Sequence, residues 1–406
     1  MCALLPDADP PPAAGILPPG VGADGALRSF GIYLHVPFCA TRCGYCDFNT
    51  YTAQELKGGV SRGSYAAQAV AELRLARQVL GPGAGPVRSV FVGGGTPTLL
   101  APEDLVTVLG AVDELFGLAV GAEVTVEANP ESVDARSLAI LRDGGFTRVS
   151  IGMQSAATHV LSILDRTHTP GRAAQAVAHA RSAGFEQVSL DLIYGTPGES
   201  TADWDQSLQS ALACAPDHVS AYGLIVEPGT RLAAQVRRGD LPAPDDDVMA
   251  QRYARADELL TAAGLRWYEV CNWATRPDAA GRHNLGYWDG GDWWGVGPGA
   301  HSHVDGVRWW NVLHPSAHAT RLLAGESPAA GREQLTPAER RFEAVMLTSR
   351  LRSGLDADLL SISGQRAAAR LACDGLLEAD PLALGRGVLT LEGRQKADLV
   401  ARELTD

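Results

Sequence analysis

Short apolar runs alternate with stretches in which apolar residues recur at helical spacing between residues 31 and 223. Runs of this length are typical of strands, and the wider period is typical of amphipathic helices. The predicted strands are 31–35, 89–92, 124–128, 148–152, 188–192 and 218–222. The predicted helices between them are 64–79, 102–116, 134–143, 170–183 and 201–212. Six such units predict an α/β fold with a parallel, barrel-like sheet covered by helices, and chemistry at the carboxyl ends of the strands.

The pattern changes after residue 242. A long helical run at 246–263 and a strand at 266–270 are followed by an aromatic, glycine-rich stretch at 283–303, and the chain is helical again from 336 onward. We therefore expect four parts: a disordered leader rich in proline, alanine and glycine (1–28), a main α/β domain (29–241), an extension (242–333) and a small helical C-terminal domain (334–406).

The net charge of −13 disfavours nucleic acid as a partner, because binding to a phosphate backbone depends on clustered Lys and Arg. The leader lacks the basic and apolar segments of a secretory signal, and no apolar stretch is long enough to span a membrane. We expect a soluble, cytoplasmic protein. A peripheral location at the inner membrane face is the alternative.

Three of the seven cysteines crowd into one short segment, Cys39, Cys43 and Cys46, while the others are scattered singly. An odd total with one cluster indicates a reducing compartment and a metal site. Three thiolates at C-x3-C-x2-C suit three corners of a [4Fe-4S] cluster and leave the fourth iron open. A zinc site is the alternative, although zinc prefers four closed ligands and no second cysteine pair is present.

The segment from Tyr33 to Asn49 resembles the cluster loop of the radical S-adenosylmethionine (SAM) superfamily. The resemblance is closest to the branch of the oxygen-independent coproporphyrinogen III oxidases and the HemW haem chaperones, and it extends over nearly the whole chain after residue 30. Further motifs that carry it begin at Gly93, Glu127, Gly152 and Asp191. It implies a partial (β/α)6 radical SAM barrel followed by a small α-helical C-terminal domain.

The resemblance also implies residues that bind SAM beside the cluster. These are Tyr33, Tyr45, Gly94, Gly95, Thr96, Glu127, Gln154, Arg166 and Asp191, with Gly223 and His301 as weaker matches. Taken alone, the triple glycine is also typical of a tight turn. The carboxylates of Glu127 and Asp191 are also typical of a structural ion pair. The amide of Gln154 also suits a strand end that needs its backbone groups satisfied.

Two details distinguish the branches. The oxidases carry a further cysteine at the position of Phe48. The run that begins His283-Asn284 resembles the H-N-x-x-Y-W signature of the haem chaperones, and an imidazole is a competent haem ligand. The alternative is that His283 is a loop residue and the nearby tryptophans are core anchors.

Two hypotheses follow. The first is a haem chaperone that binds haem through His283, holds a [4Fe-4S] cluster and SAM, and delivers haem to haemoproteins such as respiratory enzymes, as a possible homodimer. The second is a coproporphyrinogen III oxidase (dehydrogenase) of porphyrin biosynthesis that forms protoporphyrinogen IX. Phe48 and His283 favour the first. Radical SAM modification of tRNA is a distant third, disfavoured by the acidic charge.

Overall fold

The computed structural model describes residues 8–21, 29–56, 61–166 and 169–405. Its strands are β1 (Gly31–Val36), β2 (Phe38–Cys39), β3 (Tyr51–Thr52), β4 (Val87–Gly94), β5 (Leu118–Ala128), β6 (Arg148–Gln154), β7 (Gln187–Tyr194), β8 (His218–Gly223), β9 (Arg266–Glu269), β10 (Asn272–Ala274), β11 (Trp293–Val296), β12 (His301–Val304), β13 (Val307–Asn311), β14 (Ala329–Gln334), β15 (Leu355–Asp356) and β16 (Arg386–Gly387). Its α-helices are α1 (Arg62–Leu80), α2 (Pro102–Phe116), α3 (Ala135–Asp143), α4 (Thr158–Ile163), α5 (Arg172–Ser182), α6 (Thr201–Ala213), α7 (Arg231–Arg238), α8 (Asp246–Ala262), α9 (Arg282–Trp288), α10 (Pro315–Leu323), α11 (Pro337–Thr348), α12 (Ile362–Cys373), α13 (Ala379–Ala383), α14 (Leu391–Gln395) and α15 (Ala397–Thr405).

A twelve-stranded sheet organises the molecule, in the order β14-β13-β12-β11-β1-β4-β5-β6-β7-β8-β10-β9. The six predicted strands are confirmed as β1 and β4 to β8, which are parallel neighbours in chain order. Valine, isoleucine and leucine at alternate strand positions pack against the outer helices in the main core. The α/β fold with a parallel sheet covered by helices, as expected from the sequence, is therefore present.

The residues expected to form an extension lengthen this same sheet at both ends. On one side β11 pairs in parallel with β1, with Gly31 opposite Trp293, and β12 to β14 continue antiparallel. On the other side β10 pairs antiparallel with β8, followed by β9. The carboxyl ends of the parallel strands are thus framed on both sides.

Part of the expected disordered leader is ordered, which corrects that expectation for residues 8–21. Asp9 exchanges two backbone hydrogen bonds of 3.0 Å with Arg332 of β14, and the Ser327 amide donates to the carbonyl of Ala13 at 2.7 Å. Leu17 and Val21 pack against the main core. An open sheet edge offers such pairing to a nearby strand. Residues 1–7 and 22–28 lie outside the described residues.

The C-terminal helices share a second core. Val345, Leu371 and Val400 are buried there among other aliphatic side chains. Arg394 of α14 joins this unit to the main domain through two hydrogen bonds of 2.9 Å to the Asp257 carboxylate of α8. No described helix is both long enough and apolar enough to cross a membrane.

Candidate functional site

The cysteine loop lies at the carboxyl end of β1. The short strand β2 pairs in parallel with β3, which folds the loop back over the end of the sheet. Cys39, Cys43 and Cys46 carry free thiols and line one cavity of about 790 Å³. Burial raises the pKa of Cys39, and burial raises that of Cys46 to about 11.

This arrangement suits a cluster better than a single ion. Among the described residues, no three His, Cys, Asp or Glu side chains are placed to hold one metal ion. In a cubane cluster each thiolate binds a different iron, so the three sulfurs need not converge on one point. The loop therefore fits a three-cysteine cluster, and the described residues do not add the fourth ligand that closes a structural zinc site.

The glycines at the end of β4 let the backbone pass close to the cysteine loop. A Cβ at Gly95 would lie 2.5 Å from the Phe38 carbonyl oxygen and 3.0 Å from the Cys39 sulfur, and Gly94 has φ +106°. The Thr96 amide donates to the Phe38 carbonyl at 2.8 Å. Loop packing alone thus requires glycine here, and it also brings Gly94, Gly95 and Thr96 to the cavity wall.

Alternate residues of four adjacent strands make the cavity floor polar. They are Glu123, Thr125 and Glu127 in β5, Arg148, Ser150, Gly152 and Gln154 in β6, Ser189 and Asp191 in β7, and His218, Ser220 and Tyr222 in β8. Such positions are usually filled by bulky aliphatic residues in a barrel of this type. Most of them were missed in the sequence, where the detectable signal is a two-residue polar period inside apolar strands.

Two carboxyl groups in this floor form no salt bridge with any described residue, although the charge of Arg166 acts on both. In the part of the chain that the structure describes, neither Glu127 nor Asp191 forms an ion pair, so the alternative of a structural pair is not supported. Glu127 accepts a hydrogen bond from the Gly94 amide at 3.3 Å, and Asp191 accepts from the Ser150 hydroxyl at 2.8 Å. Burial and the nearby Asp191 raise the pKa of Glu127 to about 8, and burial raises the pKa of Asp191. Buried carboxyl groups without a direct ion pair favour a ligand.

Arg166 and Gln154 also fit a ligand of this cavity. The Nε of Arg166 is buried without a hydrogen-bond partner, and the guanidinium lies beside Tyr45 and Cys43. Gln154 ends β6 in the left-handed region, with φ +62°, which is costly for a residue with a side chain. A Cβ at Gly152 would lie 2.8 Å from the Gln154 amide nitrogen, so the glycine makes room for both side chains.

Twelve of the residues predicted to bind SAM or the cluster line this cavity, and a further one, Gly223, does so as well. The twelve are Tyr33, Cys39, Cys43, Tyr45, Cys46, Gly94, Gly95, Thr96, Glu127, Gln154, Arg166 and Asp191. His301 is not among the described residues that line it. His301 instead lines a second cavity of about 730 Å³, on the other side of the cysteine loop.

His283 lines the first cavity, and its role as a haem ligand stays a prediction. Its Nδ1 is hydrogen-bonded with the Ser89 hydroxyl at 2.9 Å and its Nε2 with the Tyr287 hydroxyl at 2.8 Å. The ring is buried and stacks on Phe91 at 5.4 Å, and burial lowers its pKa to about 3. Both ring nitrogens of His283 are thus hydrogen-bonded, one to β4 and one within the signature helix α9.

Comparison with known proteins decides the family. The model of the radical SAM superfamily matches residues 33–211. A Mycobacterium tuberculosis protein named heme chaperone HemW is 53% identical over 377 residues, which cover 93% of this chain and 95% of that protein. The chain belongs to the HemW family of radical SAM proteins. The HemW protein of Escherichia coli is 36% identical over 71% of this chain and 75% of its own length.

A more distant likeness extends beyond HemW. The solved structure of coproporphyrinogen III oxidase (HemN) from Escherichia coli, a radical SAM enzyme, has a TM-score of 0.77 and 23% identity, covering 93% of this chain and 90% of that one. At this identity the likeness shows a common fold alone.

Radical SAM membership implies a [4Fe-4S] cluster and SAM as cofactors. Cys39, Cys43 and Cys46 would hold the cluster, and the polar floor beside it would hold SAM. When bound, a cluster with one iron free of protein ligands would supply the electron for reductive cleavage of SAM.

Proposed function

We propose that this protein is a haem chaperone, which binds haem and delivers it to haemoproteins while holding a [4Fe-4S] cluster and SAM. The observation that carries the proposal is the 53% identity to a named haem chaperone over nearly the full length of both chains. Family membership supports the cluster and SAM, whereas haem, its acceptors and a homodimer are our inference. We place haem delivery in the cytoplasm, and at the inner membrane face when respiratory enzymes are the acceptors.

Phe48 supports the chaperone over the oxidase. Phe48 lies in the cysteine loop, where the related oxidases have a further cysteine, and 60% of its surface is exposed. An exposed aromatic ring beside the cluster offers apolar contact to a macrocycle and supplies no thiolate. The porphyrinogen oxidase is therefore the second candidate and is an outcome of the test.

The test is anaerobic incubation of the reconstituted protein with SAM and a reductant, in parallel with haem and with coproporphyrinogen III. We expect a stoichiometric haem complex, seen as a shifted Soret band that survives gel filtration, and no protoporphyrinogen. Porphyrin product with stoichiometric deoxyadenosine would contradict the proposal and identify the oxidase.

A further inference from the structure

The second cavity has walls from three parts of the molecule. One wall is the face of β11 to β13 that carries Trp293 and His301, and the facing wall is α11 with Leu347. The third wall is the cysteine loop with Phe48. Its volume of about 730 Å³ lies within the range of roughly 300 to 1,000 Å³ that is typical of small-molecule sites.

Three histidines line this cavity, and two of them are fully occupied. His35 donates from Nε2 to the Asn49 carbonyl at 2.9 Å and accepts from the Tyr33 hydroxyl at 3.0 Å. His303 is hydrogen-bonded with the Gly291 carbonyl at 2.9 Å and accepts from the Gly306 amide at 3.0 Å. Neither imidazole has a nitrogen left for a metal.

His301 differs from both of them. Within the described chain, no hydrogen bond engages either nitrogen of its ring, and the residue is exposed. The ring stacks on the buried Trp310 at a centroid distance of 5.7 Å, and its backbone carbonyl accepts from the Trp293 indole at 3.0 Å. The imidazole is therefore oriented by its strand while its nitrogens stay available for a ligand, and partial burial of the ring lowers its pKa.

We propose that haem binds in this second cavity, with the imidazole of His301 as an axial ligand of the iron. This inference rests on the proposed function and assigns its cargo site. Phe48, Trp293 and Leu347 supply apolar surface for the macrocycle.

Arg340 is the group of this cavity that would meet a propionate, since the lining holds two arginines, Arg308 and Arg340, and the acids Asp47, Asp289, Asp292, Asp305 and Glu343. Two of the lining acids are already paired, because Arg340 donates to Asp305 at 2.9 Å and Arg308 forms a salt bridge with Glu343. A guanidinium has five N–H donors, so Arg340, whose side chain is 38% exposed, keeps donors for a propionate. The other propionate would face solvent.

The site suits a cargo that has to leave again. A tightly held metal-binding histidine usually donates its second N–H to a carbonyl or carboxylate, which strengthens the ligand. His301 lacks that support, so its bond to iron is weaker and more easily exchanged. Tyr33, Phe48 and Tyr287 line both cavities, which places the haem site directly beside the cluster loop.

The test compares haem with metal-free protoporphyrin IX in titrations of the reconstituted protein and of His301→Ala. We expect the variant to bind haem at least about tenfold more weakly with a shifted Soret band, a loss of about 1.4 kcal/mol. Its affinity for protoporphyrin IX should not change, because only iron has a bond to lose. His159→Ala is the control, since that imidazole is 56% exposed and lies on α4, away from the cavity.

A second variant tests the cavity itself. Leu347→Trp fills it and should weaken haem and protoporphyrin IX together, while the cluster absorption shows that the fold is intact. If His301→Ala binds haem like the wild type and His283→Ala loses the Soret band, the site proposal is overturned and the chaperone function stands. If the wild type binds no haem, the proposed function itself fails.

Discussion

At the scale of single residues, the three cysteines are the first determinants of the chemistry. Replacing Cys39, Cys43 or Cys46 by Ala removes one of three cluster ligands, so we expect the broad visible absorption of the anaerobically reconstituted protein to be lost. Cys373→Ser is the matched control, because Cys373 is exposed at the end of α12, and it should keep full absorption. Absorption that survives all three cluster substitutions would refute the ligand assignment.

Glu127 makes the stability of the cofactor-free protein depend on pH. Its pKa of about 8 lies above the ordinary value of 4.5, so the folded protein binds one proton more than the unfolded chain between these values. Stability contributed by this group is therefore complete below pH 4.5 and is lost as the pH rises to 8.

The Glu127→Gln variant removes this titration. The side chain is half-buried and reached by solvent from the cavity, so we expect a modest effect of about 1 kcal/mol. Urea unfolding at pH 5.5 and pH 8 should show a smaller loss of stability in the variant than in the wild type. Equal losses in both proteins would show that Glu127 does not titrate in this range.

The residues found from sequence were those with a local signal. The cysteines, Gly94, Gly95 and Thr96 are close along the chain to the strands that position them. The positions of His283 and His301 depend on contacts with Ser89 of β4 and with the outer sheet edge, far away in sequence. The hydrogen bonds of the His283 imidazole, and the lack of any between the His301 imidazole and a described residue, are set only after these strands have paired.

At the scale of elements, Glu123 of β5 anchors the signature helix α9 to the sheet. Its carboxylate forms a buried ion pair with Arg148 at 3.1 Å and accepts the backbone amides of Arg282 and His283 at 3.0 and 3.1 Å. The Glu123 carboxylate thus pairs with a buried arginine of the neighbouring strand and also accepts hydrogen bonds from two backbone amides in the first turn of α9.

Glu123→Ala leaves Arg148 buried without its partner. We expect a loss of about 3 to 5 kcal/mol in the free energy of unfolding, measured by urea denaturation. Glu258→Ala, which removes a 66% exposed partner of Arg255, should cost no more than about 1 kcal/mol. Equal effects of the two substitutions would argue that the buried pair does not anchor α9.

The six central strands were predictable because each is a short apolar run bounded by turns. The edge strands β11 to β14 were not, since they are held by pairing with β1 and with one another rather than by a period of their own. The polar cavity floor could not be predicted either. Its polar residues alternate with apolar residues along the same strands, so each strand still has an apolar appearance in the sequence.

At the scale of the whole molecule, the two cavities share the cysteine loop as a common wall. The C-terminal unit closes the second cavity with α11 and is fixed to the main domain by Arg394 and Asp257. The cluster, SAM and cargo sites are therefore adjacent in one fold, although the residues that build them span from β1 to α11.

The measurement that tests the account most directly is haem transfer. The reconstituted, haem-loaded protein is mixed anaerobically with a haem-free b-type cytochrome, and loading is followed by the cytochrome absorption, with haem-loaded serum albumin as the passive donor. We predict faster loading from this protein than from albumin at equal haem concentration. Loading no faster than from albumin would contradict its assignment as a haem chaperone.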